Sequence, residues 1–262
     1  VSASFAGSRV LSRWQAAGIH LGIVLLLAML LALLVFGVWY PQPYRAAAGA
    51  DRLMLLLIGF GLLPGPLLML IVYRHGKKGM LFDVVFIAAV QLAAMSYGLF
   101  VIAQARPAFI VVSQGMTFLT TAGSIENADL AIGQSARFRS RSWSGPVQVA
   151  ALPPDDAKGR EQLLNSGLAG KDIDRLPWHY RAMEEAGAQL IADSAPFRHL
   201  AEHPETRAAA RLFVADSGMQ IEQLRFQPLR GRDPEKDTAI IYAVGRLSPV
   251  GVIDIDPWPA LN

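Results

Sequence analysis

The 262-residue chain contains no cysteine, which excludes disulfides, Cys-bound metals and thiol nucleophiles together. That absence does not choose a compartment, since a domain of about 150 residues buries enough apolar surface to stand without covalent staples. Charge is missing where it matters most: Trp14 to Tyr40 holds no Asp, Glu, Lys or Arg. As a helix this stretch is about 40 Å long, at about 1.5 Å per residue, against a hydrocarbon core of about 30 Å. It exceeds the apolar stretch of about 7–15 residues in a signal peptide, so a retained anchor is expected. Trp39 and Tyr40 supply interfacial rings at its end, and Pro41 and Pro43 force the backbone to turn.

Hydrophobic residues make up 53% of the chain, which points to a membrane part joined to a soluble part. Residues 1–103 carry seven Lys or Arg against two acids, a balance of +5, so the whole-chain +3 leaves −2 for residues 104–262. The soluble half therefore lacks the positive field that nucleic-acid binding requires.

Three crossings are predicted, at about 16–40, 53–73 and 80–103, behind a flank of residues 1–15. The second contains Gly59-Phe-Gly-Leu-Leu-Pro-Gly-Pro66, and Pro64 and Pro66 predict a kink or break near Leu62 to Pro66. Backbone groups freed there must be satisfied by protein or water, which turns Pro64, Gly65 and Pro66 toward other helices and offers a groove for a foreign one. The third carries Asp83, Gln91 and Tyr97. Asp83 lies near Lys77 and Lys78 at a helix N-terminus, so a snorkelling cap is expected there rather than a proton relay. Short-loop Lys/Arg counts put the N-terminus in the cytoplasm and residues 104–262 outside it, in the periplasm of a bacterium.

The outer half is expected to be an α+β domain with an antiparallel sheet. Pro107–Ser113 and Met116–Thr121 read as a hairpin turning at Gln114-Gly115. Gly145–Ala151 reads as a strand, and Asp155-Asp156 as the opening of a helix that runs to Leu168. Ala208–Val214 reads as a helix, and Gln223–Pro228, Asp237–Val244 and Val250–Asp256 as strands. Arg137, Arg139 and Arg141, spaced by two, would share one face of a strand, either solvated or meeting acidic headgroups. Asp254 and Asp256 would share a face as partners of Arg230 and Arg232. His199, Glu202 and His203 match the H-x-x-E-H pattern of inverted zinc peptidases. Pro204 would end that helix at its second histidine, and no third ligand is evident. No cofactor or metal is expected.

Arg13-Trp14, Gly18-Ile-His-Leu21, Val38-Trp-Tyr-Pro-x-Pro43, Gly65-Pro-Leu-Leu68, Asp83, Gln91-Leu-Ala-Ala94, Tyr97-Gly98, Ala105-Arg-Pro107, Pro228-Leu-Arg-Gly-Arg232 and Asp254-Ile-Asp-Pro-Trp258 occur in this order. The set resembles the TfpX/TfpZ family of type IV pilin accessory proteins. Where family members carry an acidic residue this chain has Gly61. The resemblance implies a non-enzymatic inner-membrane chaperone or assembly modulator. Its partners would be a cognate type IV pilin, the lipid bilayer and other pilus assembly components. It makes His20, Trp39, Tyr40, Pro64, Gly65, Pro66, Asp83, Gln91 and Tyr97 candidate pilin contacts. Pilins carry an acidic residue near the mature N-terminus, at the depth expected for His20, so these two groups are candidates to pair. The rival reading is a membrane-bound zinc hydrolase using His199, Glu202 and His203.

Overall fold

A computed structural model describes residues 12–261 apart from 63, 75–76 and 232–235. The chain divides into two compact units. The first comprises residues up to Leu34 together with Arg52–Ile102, and the second Val35–Asp51 together with Ala103 onward.

The first unit is helical. Helix α1 spans Arg13–Leu34 and continues as a wider π-turn over Val35–Trp39, closed by the Tyr40 N–H donating to the Val35 carbonyl at 2.8 Å. Helices α2 (Ala50–Leu62) and α3 (Pro64–Val72) follow, then α4 (Met80–Ala105). The kink expected between Leu62 and Pro66 centres on Leu63, which lies outside the described residues, as does the packing of Gly61. Three segments, Arg13–Trp39, Ala50–Val72 and Met80–Ala105, are long and apolar enough to cross a membrane. Their large side chains mostly face outward, with Ile71 71% and Leu81 77% exposed. Lipid is as apolar as leucine, so a bilayer is the solvent in which that surface carries no penalty.

Within this unit α1 packs against α3. Gly98 lets α4 approach α2 closely, since a Cβ there would stand 2.6 Å from Leu57 Cδ1. Small residues at such crossings replace the hydrophobic drive that lipid removes.

The second unit is a mixed α+β fold. Among its described residues eight strands form one sheet: β1 (Pro107–Ser113), β2 (Met116–Thr121), β3 (Val147–Ala151), β4 (Tyr180–Ala182), β5 (Ala195–Pro196), β6 (Leu224–Arg230), β7 (Thr238–Ala243) and β8 (Pro249–Ile253). The order is β4-β3-β1-β2-β6-β7-β8, with β5 on β6. The predicted hairpin is β1–β2, turning at Gly115 with φ 72°. The sheet is mostly antiparallel as expected, with two parallel junctions, β1 with β3 and β2 with β6. Both junctions pair strands that are not consecutive in the chain, so long connections rather than tight turns join them. Helices α5 (Asn127–Ala131), α6 (Ala157–Leu168), α7 (Met183–Ala192), α8 (Arg198–Glu202) and α9 (Arg207–Ser217) fill the connections. Asp156 caps α6, accepting from the Gly159 N–H at 2.8 Å, which satisfies one orphan donor of its first turn.

Two corrections concern charged residues. Arg137, Arg139 and Arg141 lie in a 3₁₀ turn and loop, not a strand. Arg139 Nε donates to the Gly133 carbonyl, while Arg141 ties down the Ala122 and Ile125 carbonyls and Asn127. Arg230 pairs with Asp237 at 3.2 Å, whereas Asp254, beyond the end of β8, pairs with Lys236 at 2.8 Å. Arg232 and the turn residues 232–235 lie outside the described residues.

All seven residues of β1 and all six of β7 are buried, so both faces of the sheet centre are covered. One core gathers Phe109, Val111, Val149, Phe138 and Tyr180, the other Phe197, Leu200, Phe226, Ile241 and Ile253. A set of polar groups in the sheet is paired. Thr117 Oγ1 donates to Gln227 Oε1 at 2.7 Å and meets the Tyr242 hydroxyl at 3.1 Å; Gln227 Nε2 donates to Ser194 Oγ at 2.8 Å. A buried network of this kind is favourable only when each member is satisfied.

Asp174 is one of the buried acids of this unit, with Asp129 and Asp237. Thr120 Oγ1 donates to its Oδ2 at 3.1 Å and the Tyr180 hydroxyl donates to its backbone carbonyl. Burial pushes its carboxyl up to about 6, against the opposing pull of Arg175 and Thr120. A folded-state value above the unfolded one means stability is fullest below the unfolded value and is lost as pH rises through the folded one. Asp174→Asn should therefore flatten the stability loss between about pH 4 and 6, and above that window stabilise the protein by up to about 3 kcal/mol. Thermal melts of the detergent-solubilised chain across pH check this; an unchanged pH slope in the variant would refute it.

Candidate functional site

Among the described residues of the first unit, polar side chains of α1 and α4 converge over a glycine of α3. His20 Nε2 on α1 stands 2.6 Å from Gln91 Oε1 on α4, so the tautomer protonated at Nε2 donates across the helix pair. Gln91 is 8% exposed. Gly65 at the start of α3 forms the floor of the contact: a Cβ there would lie 1.8 Å from Gln91 Oε1 and 2.6 Å from His20 Nε2. The absent side chain is thus what admits the pair. In hydrocarbon an unpaired amide or imidazole is expensive, so these helices are held in register where the pair meets.

The other candidates in this unit stand apart from that notch. Asp83, in the first turn of α4, accepts from Lys77 Nζ at 2.5 Å, the cap arrangement expected from the sequence. Pro64 is exposed, Pro66 half-buried, and Tyr97 70% exposed on the outer surface of α4.

Trp39 and Tyr40 belong to the second unit and are buried there, at 3% and 0% exposure. Their sequence positions predict interfacial rings; instead residues 35–51 pack into the α+β fold. The Trp39 ring lies 5.6 Å from that of Trp143, and the Arg106 guanidinium lies 4.3 Å from the Trp143 ring centre. Tyr44 is buried too, and burial, with Tyr242 nearby, pushes its hydroxyl well above the ordinary range. Gly231 admits the returning segment, since a Cβ would stand 2.3 Å from the Ala47 carbonyl oxygen. Arg106 and Trp143 were not singled out from the sequence as site residues; the available signal was that Arg106 is the first charge after Asp83 and directly follows the third apolar segment.

A groove of about 1190 Å³ also opens in the second unit, between α6 and the segment Trp178–Arg181, with Leu152, Pro153 and Pro154 on its wall. Helix α6 has no buried residue, and Leu164 and Leu168 are 64% and 81% exposed. His179, on the wall, has its pKa lowered by burial and then by Arg181, which favours the neutral imidazole.

The H-x-x-E-H pattern does not take zinc-peptidase form. Helix α8 ends at Glu202 with His203 as its C-cap, the His203 N–H donating to the His199 carbonyl at 3.0 Å, and the chain turns away there with ψ 134°. Among the described residues no group of three metal-ligating side chains converges.

Comparison with known proteins places these features in a family. A family model, Fimbrial assembly protein FimB, matches residues 8–49, the stretch containing His20 and Trp39. The chain is 32% identical over 171 residues to a fimbrial assembly protein of Dichelobacter nodosus serogroup I, and 30% identical over 171 residues to that of serogroup E1. Each match covers 64% of this chain and 66% of the relative, just under two thirds of its length. A third relative, the fimbrial assembly protein of D. nodosus serogroups C1 and C2, is 39% identical over 105 residues, 39% of this chain and 80% of its own length. No solved structure matches. On the strength of these likenesses, and of the three apolar helices followed by an α+β domain, the chain belongs to the FimB family of fimbrial assembly proteins.

Proposed function

We propose that this protein promotes assembly of a type IV pilus by holding the cognate pilin in the bacterial inner membrane. The observation that carries the reading is the likeness to the serogroups C1 and C2 fimbrial assembly protein over 80% of that protein's length. The ordered residues that resemble the TfpX/TfpZ accessory family support the same partner. A pilin precursor presents one apolar helix in the membrane and a globular head outside it. The outward-facing apolar surface of the three helices suits the first, and the α+β domain, with the groove beside α6, suits the second. The role is one of binding, with no catalytic group required. Specificity must come from packing and polar pairing, because apolar surface alone does not distinguish a helix from lipid.

His20 is the group best suited to read the pilin's acidic residue. Its Nε2 faces Gln91, and among the described residues no hydrogen bond engages Nδ1. An acidic group arriving at Nδ1 would give the ring a second hydrogen-bond partner, while Nε2 keeps its bond to Gln91 Oε1. Gln91 then acts as the positioning residue, and Gly65 keeps the space open. The N-terminus lies in the cytoplasm and the α+β domain in the periplasm, as the loop charges imply.

Three outcomes test this reading. His20→Ala should lower pilin recovered with the detergent-extracted protein several-fold, equivalent to about 1 kcal/mol for one interhelical hydrogen bond; undiminished co-purification would remove His20 from the interface. Gly65→Ala should give a comparable loss with His20 intact, because the new methyl displaces Gln91; wild-type recovery would show that the notch is architectural only. Alkaline phosphatase fused after Asn262 should be active and the same reporter placed in the 74–79 loop inactive, whereas the reverse pattern would overturn the orientation.

A further inference from the structure

Among the described residues three buried side-chain groups of the second unit lack a hydrogen-bond partner, the Thr238 hydroxyl and two N–H donors that lie in one cluster. The Nε1–H of Trp39 and the Nε–H of Arg106 lack partners, and their residues are 3% and 4% exposed. Both side chains belong to one cluster. The Arg106 guanidinium carbon lies 5.5 Å from the Trp39 ring centre and 4.3 Å from that of Trp143. Its remaining nitrogens reach only carbonyls: Nη1 donates to Ala103 O, and Nη2 to Ser142 O at 3.5 Å. No carboxylate pairs with it among the described residues. Burial, and then repulsion from Arg141, push its pKa below the ordinary arginine value, against a smaller opposing pull from Tyr40. A cation out of water, beside another cation and with a donor unused, is the arrangement an anion from outside the chain would relieve.

The place of the cluster in the chain says which anion. Trp39 is the last residue of the first membrane-length segment, and Arg106 directly follows the third. Segment ends lie at headgroup depth, where indoles are favoured and phosphate is abundant. The guanidinium fork matches phosphate oxygens, and Arg retains its charge where a Lys would lose it. Trp143 covers the guanidinium yet is itself 66% exposed. It sits on a loop between Ser142 and Ser144, whose hydroxyls lie 3.1 Å apart, so access requires one surface ring to swing aside.

We propose that Arg106, Trp39 and Trp143 form a binding site for the phosphate of an anionic phospholipid headgroup. The phosphate accepts from Arg106 Nε–H and Trp39 Nε1–H, and the Trp143 ring closes over it. This goes beyond pilin binding and does not rest on it, since it requires only that the apolar helices lie in a bilayer.

The test titrates the full chain in detergent with dioctanoyl phosphatidylglycerol, dioctanoyl phosphatidylcholine or inorganic phosphate, following melting temperature and tryptophan emission. The phosphatidylglycerol should give a saturable rise in melting temperature. The phosphatidylcholine should bind about tenfold more weakly, and inorganic phosphate at equal concentration should give no response. Trp39→Phe keeps the ring and removes one donor, so it should weaken phosphatidylglycerol binding about tenfold, as should Arg106→Lys, while Arg137→Ala on the exposed loop leaves it unchanged. Equal responses to both lipids, or a matching response to phosphate alone, would overturn the lipid assignment. Wild-type affinity in Trp39→Phe would overturn the site, and that variant decides the matter even if Arg106→Lys does not fold.

Discussion

The contact between Trp39 and Arg106 is the constraint on which the topology rests. One residue ends the first apolar segment and the other follows the third, yet their side chains touch. The two segments therefore emerge on the same side of any membrane they cross, and an intervening span must carry the chain back. The second segment, Ala50–Val72, is that span. The turn at Pro41 to Pro43 and the packing of Tyr40 and Tyr44 make residues 35–51 part of the α+β fold rather than a free loop.

Two polar pairs stand out in the first unit. His20 and Gln91 answer one another across α1 and α4, Gly65 supplies the room, and Asp83 is neutralised by Lys77 at a helix start. The apolar remainder faces outward, where it meets lipid or another protein's helix on nearly equal terms. That equality is why a helix-binding protein concentrates its discrimination in a small polar notch.

In the α+β domain, by contrast, water sets the terms. Every buried polar group of the Thr117–Gln227–Tyr242–Ser194 set finds a partner, and Asp174 shows the opposite case, a carboxyl whose pKa burial raises more than its few donors lower it. Helix α6 and the groove beside it remain uncovered, the kind of surface that a partner's globular domain would use.

The sequence by itself determined the three apolar helices, the β1–β2 hairpin, the capped α6 and the final three strands, because hydrophobic period, glycine and proline turns and capping acids act over a few residues. The cap of Asp83 by lysine was legible for the same reason. Tertiary structure alone decided the rest. It brought His20, Gly65 and Gln91 together from three helices, made two junctions of the sheet parallel and turned the arginines of 137–141 into loop braces. It also exchanged Asp254 for Asp237 as the partner of Arg230, and buried Trp39 and Tyr40 that local pattern assigned to an interface. Each of these depends on which distant segment arrives opposite a residue, and a residue's type and spacing carry no record of its neighbour across the fold.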